Sequence, residues 1–223
     1  MGCGSGRWAR FVAPRVGRLH CIDPSSALAV ARQTLADHSN VFFHHSTVAE
    51  SGLPPNSQDF GYSLGVLHHV PDTGSAIRSC TELLKPGAPL LLYLYYAFDN
   101  RPFYYILLWK LANAARLFIC RLSPRYKQFV TDIIAYTIYF PLSRFAALID
   151  IFGLPVDSLP LSYYRRCSIY TLRTDSRDRF GTPLENRFTR DQIRQLCTSA
   201  GLVNIEFSYK APYWCLVGYK PEI

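Results

Sequence analysis

The sequence predicts an α/β fold, a doubly wound and mostly parallel sheet covered by helices on both faces. Three observations carry that prediction. A glycine-rich loop, Gly2-Cys3-Gly4-Ser5-Gly6, opens onto a stretch of helical apolar spacing; short apolar strands then alternate with helical segments; and Pro89–Tyr96 is apolar at nearly every position. Alternation of strand and helix implies parallel pairing, and a strand apolar on both faces implies a sheet covered on both sides.

The loop comes first. Glycines allow tight turns and let a ligand approach the main chain with no Cβ in the way. The spacing is G-x-G-x-G; a dinucleotide fingerprint, G-x-G-x-x-G, would need glycine where Arg7 stands. Trp8, Phe11, Val12 and Val16 then mark a helix that Gly17 stops. Arg18–Ile22 reads as a strand, with Asp23 at its carboxyl end, 23 − 6 = 17 positions after the last loop glycine. In doubly wound folds a carboxylate there accepts hydrogen bonds from ribose hydroxyls. The competing reading makes Asp23 the N-cap of a helix beginning near Ser25. Loop, helix, strand and acid in succession favour the ribose reading.

Gln58–Leu67 reads as a buried strand running into His68-His69-Val70-Pro71-Asp72, and a helix follows over Gly74–Leu84. Lys85-Pro86-Gly87 turns the chain into Pro89–Tyr96. The next stretch, 97–181, is aromatic and helical: one helix over Phe103–Arg121, a second over Phe129–Phe140, a kink or break at Pro141, and a continuation over Leu142–Phe152. Lys110, Asn113 and Arg116 make the first a poor membrane span, so a lid is the expected role. Near the end, Thr189 and Gln192 form a capping box for a helix that Gly201 terminates. Val203–Tyr209 and Tyr213–Tyr219 then read as an antiparallel hairpin joined by Lys210-Ala211-Pro212, with Trp214 in the core or against the lid.

At 223 residues, 49% hydrophobic and 18% charged, the chain can bury a core without staples. Its seven cysteines are scattered without a C-x-x-C pair, which points to neither a disulfide framework nor a zinc site, and fits a reducing cytoplasm. His44-His45 and His68-His69 are sequence neighbours, whose side chains point to opposite faces of a strand, so no metal site is expected. The net charge of +8 favours an anionic partner in principle. The densest basic group, Arg165-Arg166, Arg173, Arg177 and Arg179, lies beside Asp175 and Asp178 and reads as a solvated surface; no nucleic-acid module is recognisable.

Taken in order and spacing, Gly2–Gly6, Asp23, Asn56-Ser57-Gln58-Asp59, Val66-Leu67-His68-His69-Val70 and Leu84-Lys85-Pro86-Gly87 resemble a class I S-adenosylmethionine-dependent methyltransferase, of the broad type that includes the ubiquinone and menaquinone C-methyltransferases. The resemblance is strong over 1–96 and weak over 187–220. It implies a Rossmann-like core (1–96), a helical lid or specificity insertion (97–181) and a closing helix with two strands (182–223). It further implies that Gly2, Cys3, Gly4 and Gly6 line the methionine and ribose part of S-adenosyl-L-methionine, that Asp23 holds the ribose hydroxyls, and that Pro24 and Ser25 flank the adenine. Gly65 and Val66 would touch the methionine part. Where the family has a small-acidic pair, this chain has His45-Ser46-Thr47-Val48, so a backbone or hydroxyl contact from Thr47 or Val48 must substitute.

In that family a first strand ending in an acid precedes the glycine loop at the centre of the sheet. This sequence opens on the loop itself, and the expectation is that upstream sequence encodes the missing strand. The implied reaction is in-line methyl transfer to a small apolar or amphiphilic acceptor, lipid-like, quinone-like or glycosylated, with peripheral membrane contact left open. A base is needed only if the acceptor carries a proton: His69 is the first candidate, and Tyr95, Tyr96, Tyr163, Tyr164 and Arg165 are others. Two alternatives stand beside it. One is a catalytically inactive interaction module; the other is a nicotinamide oxidoreductase, disfavoured by Arg7.

Overall fold

The computed structural model describes residues 1–99, 102–156, 159–210 and 214–222, which fall into two compact units, Met1–Asp99 with Asn186–Ile223, and Asn100–Glu185. The first unit begins with the loop and a short helix α1 (Ala9–Val12) that tightens into a 3₁₀ turn over Ala13–Arg15. Strand β1 (Leu19–Ile22), helix α2 (Ala27–Thr34) and strand β2 (Val41–His44) follow. β1 and β2 pair in parallel, Leu19 opposite Val41 and Ile22 opposite His44, over a small core of Ala9, Ala13, Leu19, Cys21, Leu35 and Val41.

The remaining strands form a second sheet in the order β3-β4-β6-β5, where β3 is Gly61–Leu64, β4 Pro89–Tyr93, β5 Val203–Phe207 and β6 Cys215–Tyr219. β3 and β4 are parallel, and β6 runs antiparallel to both β4 and β5, as the closing hairpin requires. The hairpin connection through Ala211–Tyr213 lies outside the described residues. Leu90, Leu92, Leu94, Leu202 and Leu216 fill the main core, whose helical side is Ile77 of α3 (Thr73–Leu83) and Ile193 and Cys197 of α8 (Arg190–Ser199). Burying each such aliphatic side chain is worth about 1.5–3 kcal/mol, so this sheet and its two helices form the stable part of the unit. Both helices are capped by side chains: Asp72 accepts from Ser75 N–H at 2.9 Å, and Thr189 and Gln192 form the full capping box.

The strands lie in two sheets, and backbone bonds from the start of the loop reach both. Met1 nitrogen donates to Tyr62 oxygen of β3 at 2.8 Å, and Gly2 N–H donates to Ile22 oxygen of β1, also at 2.8 Å. Burial pushes the Met1 amine below its usual pKa, because charge is costly there. Strand β3 is also shorter than its apolar sequence suggested: Gly65 takes a φ of +75° and ends the ladder, and Leu67–His69 coil into a 3₁₀ turn.

The second unit contains α4 (Phe103–Ile119), α5 (Pro124–Ile134), α6 (Phe140–Ile151) and α7 (Ile169–Gly181), around Ile119, Tyr139, Leu172 and Phe180. The expected break at Pro141 is absent. A π-helical segment over Ala135–Tyr139 joins α5 to α6, so the helical run continues past Pro141, and the widened turn just ahead of the proline accommodates its ring and missing N–H. The basic group is also not simply solvated beside Asp175 and Asp178. Asp132 of α5 accepts from Arg173 at 2.7 Å and Arg177 at 3.0 Å, and Asp150 of α6 accepts from Arg165 at 3.1 Å and Arg166 at 2.9 Å. Hydrogen bonds from Arg173 hold the Asp132 carboxyl below the usual range, and those from Arg165 do the same for Asp150.

Candidate active site

The end of β1 and the glycine loop meet at Asp23. Its carboxylate is buried, with one oxygen accepting Gly4 N–H at 2.7 Å and the other accepting Ser25 N–H at 2.9 Å and the Ser25 hydroxyl at 2.6 Å. Asp23 N–H in turn donates to His44 oxygen of β2 at 3.0 Å. Asp23 is not a helix cap: α2 starts two residues beyond Ser25 with Ser26 at its N-cap position, and the carboxylate turns back to the loop. Three donors on one buried carboxylate compensate its loss of water.

The loop glycines divide by what surrounds them. Gly2 sits at φ +64°, and a Cβ there would lie 2.4 Å from both methyls of Val66, so the loop packs directly on the end of β3. Gly6, at φ +85°, packs against Ala31 of α2 and Leu35 just beyond its end. Gly4 also has a positive φ, +51°, but nothing lies within 4 Å of where its Cβ would be. Its backbone is thus the part of the loop that a ligand can approach. Cys3 is half-buried, and a hydrogen bond with Cys21, with burial second, pushes its thiol well above the usual range, so it stays protonated.

Among the other expected cofactor residues, Pro24 is exposed next to Asp23, and Gly65 N–H donates to Tyr93 oxygen at 3.0 Å, which fixes the β3 end. Val48 is buried in the main core, and its carbonyl accepts from Ser51 N–H at 3.2 Å and from the Ser51 hydroxyl at 2.8 Å, which leaves its N–H for a ligand. The Thr47 hydroxyl donates to the Glu50 carboxylate at 2.8 Å. A carboxylate therefore stands just beyond the acid-poor segment, bonded back to Thr47.

Beyond β3, the two neighbouring histidines have separate environments. His68 is fully buried, its ring stacked on Tyr95 at 3.7 Å between centroids, and neither ring nitrogen has a hydrogen-bond partner among the described residues. Burial, reinforced by His69 and Arg187, lowers its pKa to about 2, so its ring is neutral at pH 7. His69 is half-buried, with its ring 4.1 Å from that of His68 and edge-on to Tyr95. Arg187, which sequence reasoning missed, holds its guanidinium 5.1 Å from the Tyr95 ring centroid and 4.9 Å from that of Phe98. Its signal was unreadable, since it lies some ninety positions along the chain from its ring partners. Tyr163, Tyr164 and Arg165 belong to the helical unit, where burial pushes the Tyr164 phenol far above its usual range.

Residues 1–92 match the family model of a methyltransferase domain. The chain is 28% identical over 137 residues to the ubiquinone biosynthesis O-methyltransferase of Sodalis glossinidius, covering 60% of this chain and 52% of that protein. It is 36% identical over 90 residues to the enzyme of the same name from Stutzerimonas stutzeri, covering 39% of each. These alignments thus span about half, or less, of the curated relatives. Among solved structures, a SAM-dependent methyltransferase from Methanosarcina mazei superposes with a TM-score of 0.56 at 15% identity, over 100% of this chain and 91% of that one. An O-methyltransferase family protein from Burkholderia thailandensis gives 0.56 at 14% identity, over 99% and 49%. At such identities structural likeness speaks for the fold.

The family's cofactor is S-adenosylmethionine, and the residues present fit it: a loop backbone open at Gly4, a buried carboxylate beside it, and Val66 closing the floor under Gly2. Residues 1–92 match the methyltransferase domain family, and the chain has the α/β fold of a solved SAM-dependent methyltransferase.

Proposed function

We propose that this chain transfers the methyl group of S-adenosylmethionine to a hydroxyl on a small, apolar or amphiphilic ring compound. The observation that carries the cofactor half is the 2.7 Å bond between Gly4 N–H and the Asp23 carboxylate, which holds an open glycine backbone beside a buried acid. The relatives named for O-methylation in ubiquinone biosynthesis supply the acceptor half. S-adenosylmethionine supplies a methyl on a cationic sulfur, and alignment with little solvent is most of what the reaction asks of a protein.

In this reading Gly4 and its loop neighbours Gly2, Cys3 and Gly6 present backbone to the cofactor, Asp23 turns a carboxylate oxygen to the ribose hydroxyls, and Pro24 flanks the adenine. Thr47 and the Val48 backbone, with Glu50 behind Thr47, take the place of the small-acidic pair, and Gly65 and Val66 border the methionine part. His69 is the group that takes the acceptor hydroxyl's proton, being half-exposed where His68 is buried.

A second reading, an interaction module without catalysis, is favoured by one feature: both Asp23 oxygens are already satisfied within the chain. Titration calorimetry separates the two. Saturable heat with S-adenosylmethionine and none with a nicotinamide dinucleotide, followed by labelled methyl transfer to a hydroxylated ring acceptor, is the expected result. Cofactor binding without transfer would leave the interaction module, and no binding at all would remove the methyltransferase reading.

A further inference from the structure

The helical unit buries several polar side chains beside its core of Ile119, Tyr139, Leu172 and Phe180. Arg116, Thr131, Ser143 and Ser176 are buried and satisfied: the Arg116 guanidinium donates to the carbonyls of Thr182 and Pro183 at 2.8 and 3.0 Å, and the Thr131, Ser143 and Ser176 hydroxyls donate to the backbone oxygens of Lys127, Phe140 and Thr131. Its outward faces are apolar. On α4, Phe103, Leu107, Leu111 and Phe118 are exposed at 81, 55, 63 and 70%, a helical stripe in which the intervening exposed Ala114 and Ala115 are apolar too. On the continuous helical run Pro124–Ile151, Tyr126, Phe129, Ile133, Tyr136 and Phe140 repeat the pattern at separations of three and four.

Apolar surface on this scale, outside a unit that already has its own apolar core, marks a face made for something other than water. Charge says what. Segment 100–185 has 12 Lys and Arg against 6 Asp and Glu, a net charge of +6 out of the chain's +8. Lys110, Arg121 and Arg125 are exposed around α4 and the start of α5, and none of the three is ion-paired among the described residues. A second copy would bring another +6 against this face. An anionic lipid surface complements it, with apolar stripes entering the acyl boundary and cations meeting headgroups.

Pro124–Ile151 is also long and apolar enough to cross a bilayer, but Asp132, on the same helix, is held by Arg173 and Arg177 of α7, so one side of it is polar and packed. That one-sidedness suits a helix lying in the interface. We infer that the helical unit Asn100–Glu185 docks on the surface of an anionic lipid bilayer through the outward stripes of α4 and the Pro124–Ile151 run. The inference is independent of the methyl-transfer reading, since binding to lipid needs no cofactor.

The test is co-sedimentation of the full chain with vesicles of phosphatidylcholine alone and of phosphatidylcholine mixed with phosphatidylglycerol. Binding to the mixed vesicles, weakened roughly 100-fold on the neutral ones by loss of three cation contacts, is expected. Leu111→Ser with Phe118→Ser, both at exposed positions, abolishes it, and Arg121→Gln with Arg125→Gln, which leaves the apolar stripe untouched, weakens it on mixed vesicles only. Failure to bind either vesicle, or equal binding by all variants, overturns the inference. So does a wild-type dimer that the serine variants convert to monomer without any vesicle binding, because a second copy would then be the true occupant.

Discussion

The Asp23 carboxylate and the Gly4 N–H, nineteen residues apart, meet at 2.7 Å, and through that bond the end of β1 holds the open part of the glycine loop in place. Asp23→Ala removes the acceptor for Gly4 N–H, Ser25 N–H and the Ser25 hydroxyl at once. Ser25 is exposed, so water replaces the acceptor there and the chief loss is the Gly4 bond, about 1–3 kcal/mol; the variant melts lower but still folds, given the separate Leu-rich core around β4. It binds S-adenosylmethionine at least ~10-fold more weakly, since losing one charged hydrogen bond is worth about 1.5–3 kcal/mol. Calorimetry beside thermal melting checks both; unchanged affinity would move the ribose site away from Asp23.

Gly2 and Gly4 make opposite predictions from the same substitution. In Gly2→Ala the new methyl stands 2.4 Å from both Val66 methyls, and Val66 is β-branched and cannot swing aside, so the loop must leave the β3 end. Stability falls by about 1–3 kcal/mol, as overpacking does, with strain at positive φ added. In Gly4→Ala the methyl meets no protein atom, so the loss is chiefly the φ strain of roughly 1 kcal/mol, while the methyl stands where a ligand would approach the backbone. Urea unfolding should rank Gly2→Ala as the worse folder and cofactor titration should show Gly4→Ala as a clear loss of affinity.

Buried His68 makes stability depend on pH. Its folded pKa, about 2, lies below the ordinary 6.5, so between those values the unfolded chain binds the proton and the folded chain does not. Its contribution is complete above pH 6.5 and is lost as pH falls. At about 1.36 kcal/mol per unit, lowering pH from 6.5 to 4.5 costs up to about 2.7 kcal/mol through this residue. His68→Phe keeps an aromatic ring against Tyr95 and removes the titration. Urea midpoints at pH 7 and 4.5 should therefore lie closer together in the variant than in the parent chain, whatever the substitution does to stability at neutral pH.

Local signals read well from the sequence and distant ones did not. The Thr189–Gln192 capping box, the strand ending at Ile22 and the carboxylate after it depend on residues within a few positions of each other. The ion pairs of Asp132 with Arg173 and Arg177, and the Arg187 contact with Tyr95, join residues 41 to 92 positions apart, and no local pattern announces them. Helix α7 was hidden for a related reason: its arginines read as a solvated run, although they pair with Asp132 on another helix. Thr47 and Glu50 are near neighbours, but Glu50 lies beyond His45–Val48 and meets Thr47 only because the turn brings i and i+3 together.

The two histidines after β3 separate packing from chemistry. His68 has no exposure and stays neutral at pH 7, whereas His69 is half-exposed on the same 3₁₀ turn, its N–H donating to Val66 oxygen at 2.9 Å. If His69 takes the proton from an acceptor hydroxyl, His69→Gln keeps size and hydrogen bonding but not basicity, and kcat falls by about 10²–10⁴. Affinity for S-adenosylmethionine should stay unchanged, because the glycine loop and Asp23 are untouched. The split between lost turnover and preserved cofactor binding distinguishes a base from a packing residue, for which loss of the 4.1 Å contact with His68 would show in the melting temperature instead. An acceptor already ionised in solution should recover most of the turnover in the variant, and failure to do so would place His69 in the support of the β3 end.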